Sequence, residues 1–208
     1  MEIPQKNANR DAVNIFTDGS TDEHAAAASC VISSQLLGKI KLCFLIGPMQ
    51  GAQVELIAGI LALNALKAIR ALRSMDILWT TDNRSIQQLA EKYLKQEQSP
   101  DDVLWSVWLE LARECHPRVL WTRAHAGHKQ NEACDKACRW IRRKGDLLLR
   151  QSGEGKIGLS AKQTQGQSWY LFDARDADIH LAPSLLNTLN GMRGRIESQR
   201  ENFVASSR

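Results

Sequence analysis

Apolar and polar positions change rhythm along this chain, and each rhythm predicts an element. Val13 to Thr17 alternates and is rich in β-branched and aromatic residues, which predicts a strand running into the turn-forming Asp18-Gly19-Ser20. The small and β-branched run from Ala25 to Ser33 predicts a second strand. Over Lys39 to Ile46 the period is two: Ile40, Leu42, Phe44 and Ile46 share one face and Lys39 and Lys41 the other. That is the pattern of a half-buried antiparallel strand, with Gly38 marking the turn before it. Gly47-Pro48 breaks the pattern, and a helical period takes over from Ala52 to Leu72. Val54, Ile57, Ala58, Leu61, Ala65 and Ala68 line one side, while Leu56, Ile60 and Leu63 widen the apolar arc, so this helix is expected to be packed nearly all round.

Met75 to Thr81 predicts a compact strand, followed by helices over Ser85–Leu94 and Val103–Glu114 and a last strand over Arg118–Thr122. A loop from Arg123 leads into a helix that reaches about Gly145. The order βββαβααβα contains one βαβ crossover and predicts an α/β fold, a five-stranded mixed sheet with helices on both faces. Beyond Gly145 the composition changes. The stretch 146–168 reads as a linker and 169–208 as a C-terminal extension, with a short strand at Trp169–Phe172 and a helix within Leu181–Arg200 weakened by Pro183, Gly191 and Gly194. The main domain is expected over 11–145.

Composition narrows the class. At 43% hydrophobic and 24% charged, the 208 residues suit one ordinary globular domain. The net charge of +4 is too small to announce nucleic acid by itself. Cys30, Cys43, Cys115, Cys134 and Cys138 are odd in number and form no C-x-x-C pair, so reduced, packed thiols are expected and the protein reads as cytoplasmic. The polar start MEIPQKNANR shows no signal peptide, and no stretch suits a membrane helix, so no membrane partner is expected.

Four acids occupy informative places. Asp18 follows a strand, Glu55 opens the long helix, Asp82 lies between a strand and a helix, and Asp135 sits early in the last helix. Each has an ordinary reading: turn residue for Asp18, helix-dipole charge for Glu55, helix N-cap for Asp82. The alternative is that they meet. Clustered carboxylates repel, and hard oxygen-seeking cations such as Mg²⁺ or Mn²⁺ relieve that repulsion; an all-carboxylate set argues against zinc. Two such ions would form the usual clamp for displacement at phosphorus.

The motifs Ile-Phe-Thr-Asp-Gly-Ser (15–20), Val54-Glu55-Leu56, Thr-Thr-Asp-Asn (80–83) and His-Ala-Gly-His-x-x-Asn-Glu-x-x-Asp (125–135) together resemble type 1 ribonuclease H over about residues 11–145. The resemblance implies the ribonuclease H-like fold and cleavage of the RNA strand of RNA/DNA hybrids with two Mg²⁺ ions, Mn²⁺ being the alternative. By position, Asp18 would bridge both metals, Glu55 and Asp82 would hold the leaving-group metal, and Asp135 the metal that orients the water. His125 matches the mobile-loop histidine of proton transfer or product release; His128 is the lesser candidate. Gly19, Ser20, Gln53, Asn83 and Asn131 are the expected substrate contacts, with capping or loop fixing an equal alternative for Asn131.

The chain also departs from the pattern. Gly51-Ala52-Gln53 replaces the Asn-rich minor-groove residues, the loop after Asp18 carries Asp22 and Glu23, and the basic handle helix is absent. In this the chain is similar to retroviral and retroelement members, which suggests a reverse transcriptase or other replication protein as a partner beside the hybrid; a monomer is expected otherwise. The rival reading is a catalytically idle ribonuclease H-like module that binds nucleic acid or a reverse transcriptase. Arg139, Arg142, Arg143 and Lys144 are read either as a phosphate grip, continued by Arg150, Lys156 and Lys162, or as a basic helix end complementing its own dipole.

Overall fold

The computed structural model describes residues 12–35, 38–68, 75–96, 100–124, 126–152, 155–158 and 168–175. Strands β1 (Val13–Thr21), β2 (Ala26–Ser34) and β3 (Gly38–Ile46) form an antiparallel meander, and helix α1 (Gly51–Ala68) follows. Strand β4 (Ile77–Thr81), helices α2 (Arg84–Lys95) and α3 (Val103–Cys115), strand β5 (Arg118–Trp121) and helix α4 (Lys129–Ser152) complete the expected order. Two further strands, β6 (Gly155–Gly158) and β7 (Ser168–Asp173), then join the sheet. The result is a seven-stranded mixed sheet in the order β5-β4-β1-β2-β3-β7-β6, in place of the five strands expected.

The turn expected at Asp18-Gly19-Ser20 is instead continuous strand. Asp18 pairs with Ser29, Gly19 with Ala28 and Ser20 with Ala27, so the β1–β2 ladder carries the chain through a sequence that locally favours turning. Gly19 serves a different purpose there: a Cβ at that position would lie 2.9 Å from the Val54 side chain and 3.0 Å from the Glu55 backbone nitrogen. Its missing side chain lets α1 press against the strand beside Asp18. The turn comes later, where the Asp22 carboxylate accepts from the His24 and Ala25 amides, each at 3.0 Å.

Two apolar layers sandwich the sheet. Ile40, Leu42, Phe44 and Ile46 face α1, as their alternation predicts, and join Val13, Ile15 and Trp79 in the larger core. Trp79 packs against Trp108 in a tilted arrangement with ring centroids 5.7 Å apart, and its indole N–H donates to Thr17 Oγ1 at 2.9 Å, tying β4 to β1 one residue from Asp18. Gly59 lies over the same indole, where an added Cβ would come within 2.3 Å.

The second layer contradicts the half-exposed reading of β3. Cys43 and Leu45 pack with Ala27, Val31, Cys134 and Ile141 beneath α4, and β7 brings Trp169 and Leu171 into the same cluster. Lys41, expected in solvent, is buried with its ammonium 5.4 Å from the Trp169 ring centroid, and burial lowers its pKa. The chain beyond Gly145 is therefore partly integral: α4 runs on to Ser152, β7 pairs in parallel with β3, and Arg175 bridges Asp173 and Asp146 at 2.5 and 2.6 Å. A helix proposed within Leu181–Arg200 lies outside the described residues. All five cysteines are free and buried, as expected.

Because Trp169 is fully buried between the sheet and α4, Trp169→Ala should lower unfolding free energy by about 3–5 kcal/mol, the usual cost of emptying a large aromatic site. Urea denaturation measures it. A change below about 1 kcal/mol would show that β7 contributes little to this core.

Candidate active site

Three of the four singled-out acids meet. Asp18 on β1, Glu55 on α1 and Asp82 just beyond β4 each place a carboxylate oxygen within 4.8 Å of the other two. The parallel pairing of β1 with β4, in which Phe16 lies opposite Thr80, brings Asp18 in the body of β1 beside the residue that follows β4, and Gly19 brings α1 close enough for Glu55 to reach them. Glu55 is the fifth residue of a helix that begins at Gly51, one position past the first turn, so the helix-dipole reading accounts for little of its placement. The N-cap role expected of Asp82 belongs to Asn83, whose side chain accepts from the Ser85 and Ile86 amides at 3.0 and 3.2 Å. Asp82 is thereby left to the cluster.

Electrostatics follow from crowding and burial. Asp18 is 7% exposed; burial, then the charges of Asp82, Asp135 and Glu55, push its pKa up to about 8, against a lowering hydrogen bond donated by the Gly19 amide at 2.8 Å. Glu55 rises to about 7 through burial and the Asp82 charge, partly offset by the Asn83 and Thr81 side chains. Glu55 Oε2 is buried without a hydrogen-bond partner. Such an orphaned oxygen, in a set of three carboxylates with no sulfur or imidazole among them, fits a hard divalent cation.

Asp135 stands apart from this cluster. It forms an ion pair with Arg139, one turn along α4, although its charge is still felt at Asp18. The i,i+4 spacing puts the Arg139 guanidinium on the same face of α4 within reach of its carboxylate. His125 lies outside the described residues. His128 precedes α4, and its backbone carbonyl accepts from the Glu132 amide at 3.0 Å.

The proposed substrate contacts divide. Asn131 is buried and donates from Nδ2 to Asp82 Oδ2 at 3.0 Å, which places it among the groups that orient the cluster. Asn83 caps α2. Gln53 is exposed and accepts from the Gln50 amide at 3.3 Å. Gly19 lies under α1, and Ser20 Oγ accepts from Arg142 Nε at 3.0 Å. The structure adds groups that the motifs did not single out. Trp121 donates from its indole N–H to the Asp82 carbonyl at 3.1 Å, Thr81 Oγ1 accepts from the Asn83 amide at 3.1 Å, and the Cys138 thiol lies 3.1 Å from the Asp18 carbonyl. The Asp135–Arg139 spacing of four and the short Thr81–Asn83 separation were visible in the sequence; the Trp121 and Cys138 contacts depend on tertiary packing.

A model of the RNase H family matches residues 10–141. The chain belongs to the RNase H family. Ribonuclease H of Campylobacter concisus (strain 13826) is 29% identical over 90 residues, covering 42% of this chain and 61% of that protein. Ribonuclease H of Idiomarina loihiensis is 31% identical over 98 residues, covering 42% and 59%. The matches thus span about three fifths of these curated relatives. Among solved structures, LC11-RNase H1 isolated from compost has a TM-score of 0.53 at 18% identity, over 65% of this chain and 98% of that one. The foamy viral protease-reverse transcriptase in complex with RNA/DNA hybrid has a TM-score of 0.53 at 13% identity, over 67% of this chain and 21% of that one. At these identities the likeness establishes the RNase H fold.

In the metal-free protein Asp18 should make stability fall as pH rises. Its pKa goes from 3.8 unfolded to about 8 folded, so between those values the folded state holds a proton the unfolded chain has lost, and the penalty is complete above about 8. Asp18→Asn should therefore be more stable than the parent in EDTA at pH 8, by more than about 1 kcal/mol, with the gap closing towards pH 4. Thermal melts across that range measure it, and a variant less stable at pH 8 would contradict buried repulsion at this site.

Proposed function

We propose that this chain is a metal-dependent endonuclease that hydrolyses the RNA strand of RNA/DNA hybrids, leaving 3′-hydroxyl and 5′-phosphate ends. The observation that carries the reading is the Asp18–Glu55–Asp82 cluster with its unpartnered Glu55 oxygen, set where β4 ends alongside β1 in an RNase H fold. Two divalent cations, Mg²⁺ first and Mn²⁺ as the alternative, would supply charge at the scissile phosphate and acidify an attacking water. Asp18, Glu55 and Asp82 would hold them, with Asp135 completing the set on exchanging its Arg139 partner.

The residues around the cluster keep it in shape. Asn131 holds the Asp82 carboxylate, Trp121 its carbonyl, and the Gly19 amide the Asp18 carboxylate. Burial of Asp18 limits water around its carboxylate, which strengthens the contact with the Gly19 amide. His125, by resemblance, would move a proton or release product. A reverse transcriptase or other replication protein as partner, a monomeric state and a cytoplasmic setting belong to this proposal. The described part of the chain contains no helix long and apolar enough to cross a membrane.

Matched RNA/DNA, RNA/RNA and DNA/DNA duplexes, incubated with Mg²⁺ and with EDTA, test the reading. Cleavage of the RNA strand in the hybrid alone, abolished by EDTA and by Asp18→Asn, is expected. His125→Ala should lower turnover about 10²-fold, within the range of an acid–base group. Tight hybrid binding without cleavage would favour an idle binding module instead.

A further inference from the structure

Arg142, read from the sequence either as a phosphate contact or as a charge complementing the end of its own helix, fits neither reading in the fold. Gly145 does not end α4, so Arg142 lies in the interior of a helix that runs from Lys129 to Ser152. Its side chain is only 14% exposed, and its guanidinium spans the Asp22 carboxylate on the loop after β1 and, at 3.0 Å, Ser20 Oγ near the end of β1. Ser20 is one pleat beyond Asp18 on the same side of the strand, roughly 7 Å along it. The Asp22 carboxylate also accepts the His24 and Ala25 amides, and Thr21 Oγ1 donates to the Met49 carbonyl at 2.8 Å, anchoring the loop to the approach of α1. The loop thus has its own bonds for shape, and Arg142 adds one thing they lack, a positive charge on Asp22.

That charge matters because of what the neighbouring cluster is proposed to take. Asp22 and Glu23 stand on the loop that leaves the Asp18 strand, and a bare carboxylate there would repel a polyanion arriving at Asp18. We propose that Arg142 is a positioning residue that masks Asp22, so that the sugar–phosphate backbone can pass the loop after β1 without meeting its charge. Arg142 then contributes to substrate capture without touching phosphate. The inference rests on the hybrid-nuclease reading above.

Full-length wild type, Arg142→Gln, Asp22→Asn and the double variant separate these roles. Hybrid affinity would be measured by fluorescence anisotropy in EDTA from about 50 to about 300 mM salt, with melting temperatures alongside. Arg142→Gln should weaken binding about five-fold at low salt, with the deficit shrinking as salt rises. Adding Asp22→Asn should restore affinity to within about two-fold of wild type, because the charge needing a mask is gone. A double variant as weak as Arg142→Gln, though folded, would overturn the inference and make Arg142 a direct phosphate contact. Wild-type affinity in Arg142→Gln would overturn it too. Wild-type protein that neither binds nor cleaves hybrid would overturn the nuclease reading, and this inference with it, which the first two outcomes do not.

Discussion

Mutual repulsion among buried carboxylates is the constraint around which this molecule is arranged. Asp18, Glu55 and Asp82 come from three separate elements, and each would be better solvated alone. Holding them together requires rigid neighbours, and the two apolar layers supply these. The Trp79 indole ties β4 to β1 immediately beside Asp18, while Gly19 and Gly59 let α1 approach the strands at distances a side chain would forbid. The cost of the cluster is thus borne by packing on either side of one sheet.

The far edge of the sheet contributes to the same stiffness. The β2 and β3 residues beneath α4 are Ala27, Val31, Cys43 and Leu45, and they need a cover that also reaches Lys41. Helix α4 covers them, strand β7 extends the layer past β3 with Trp169 and Leu171, and the Arg175 pairs fasten its end to α4. The helix that carries Asp135, Asn131 and Arg142 is therefore seated partly on residues from the C-terminal extension. Burial also raises the Cys43, Cys134 and Cys138 thiols above the ordinary thiol range, so these groups act here as protonated packing atoms, Cys134 and Cys138 against β1 and Cys43 on β3.

What could be read from the sequence was what periodicity and local chemistry control. The alternation of Ile40 to Ile46 correctly assigned a face, and the motif spacing brought Asp18, Glu55 and Asp82 to one place. The failures share a cause. Asp18-Gly19-Ser20 favours a turn locally, but eight paired residues of β2 keep it extended. Lys41 looked solvated because β7, which buries it, lies over a hundred positions away in a Gly- and Ser-rich context. Asp82 and Asn83 both suit an N-cap, and only the register that turns Asp82 towards Glu55 leaves the cap to Asn83. Arg142 carried no local sign that its partner was on the opposite end of the domain's first loop.

The balance of donors and acceptors explains why the site is suited to cations. Among the described residues, the buried polar atoms without partners are two indole nitrogens in the cores and two oxygens, Glu55 Oε2 and Asn131 Oδ1. Both oxygens belong to residues that serve the cluster, one as a member and one through its bond to Asp82. The nearby guanidiniums do not relieve them, since Arg139 is paired with Asp135 and Arg142 with Asp22. Charge is therefore compensated around the rim and left uncompensated at the centre. A rim rich in free cations would neutralise the carboxylates and weaken their hold on metal; a rim of paired charges keeps the acceptor excess where a divalent ion can use it.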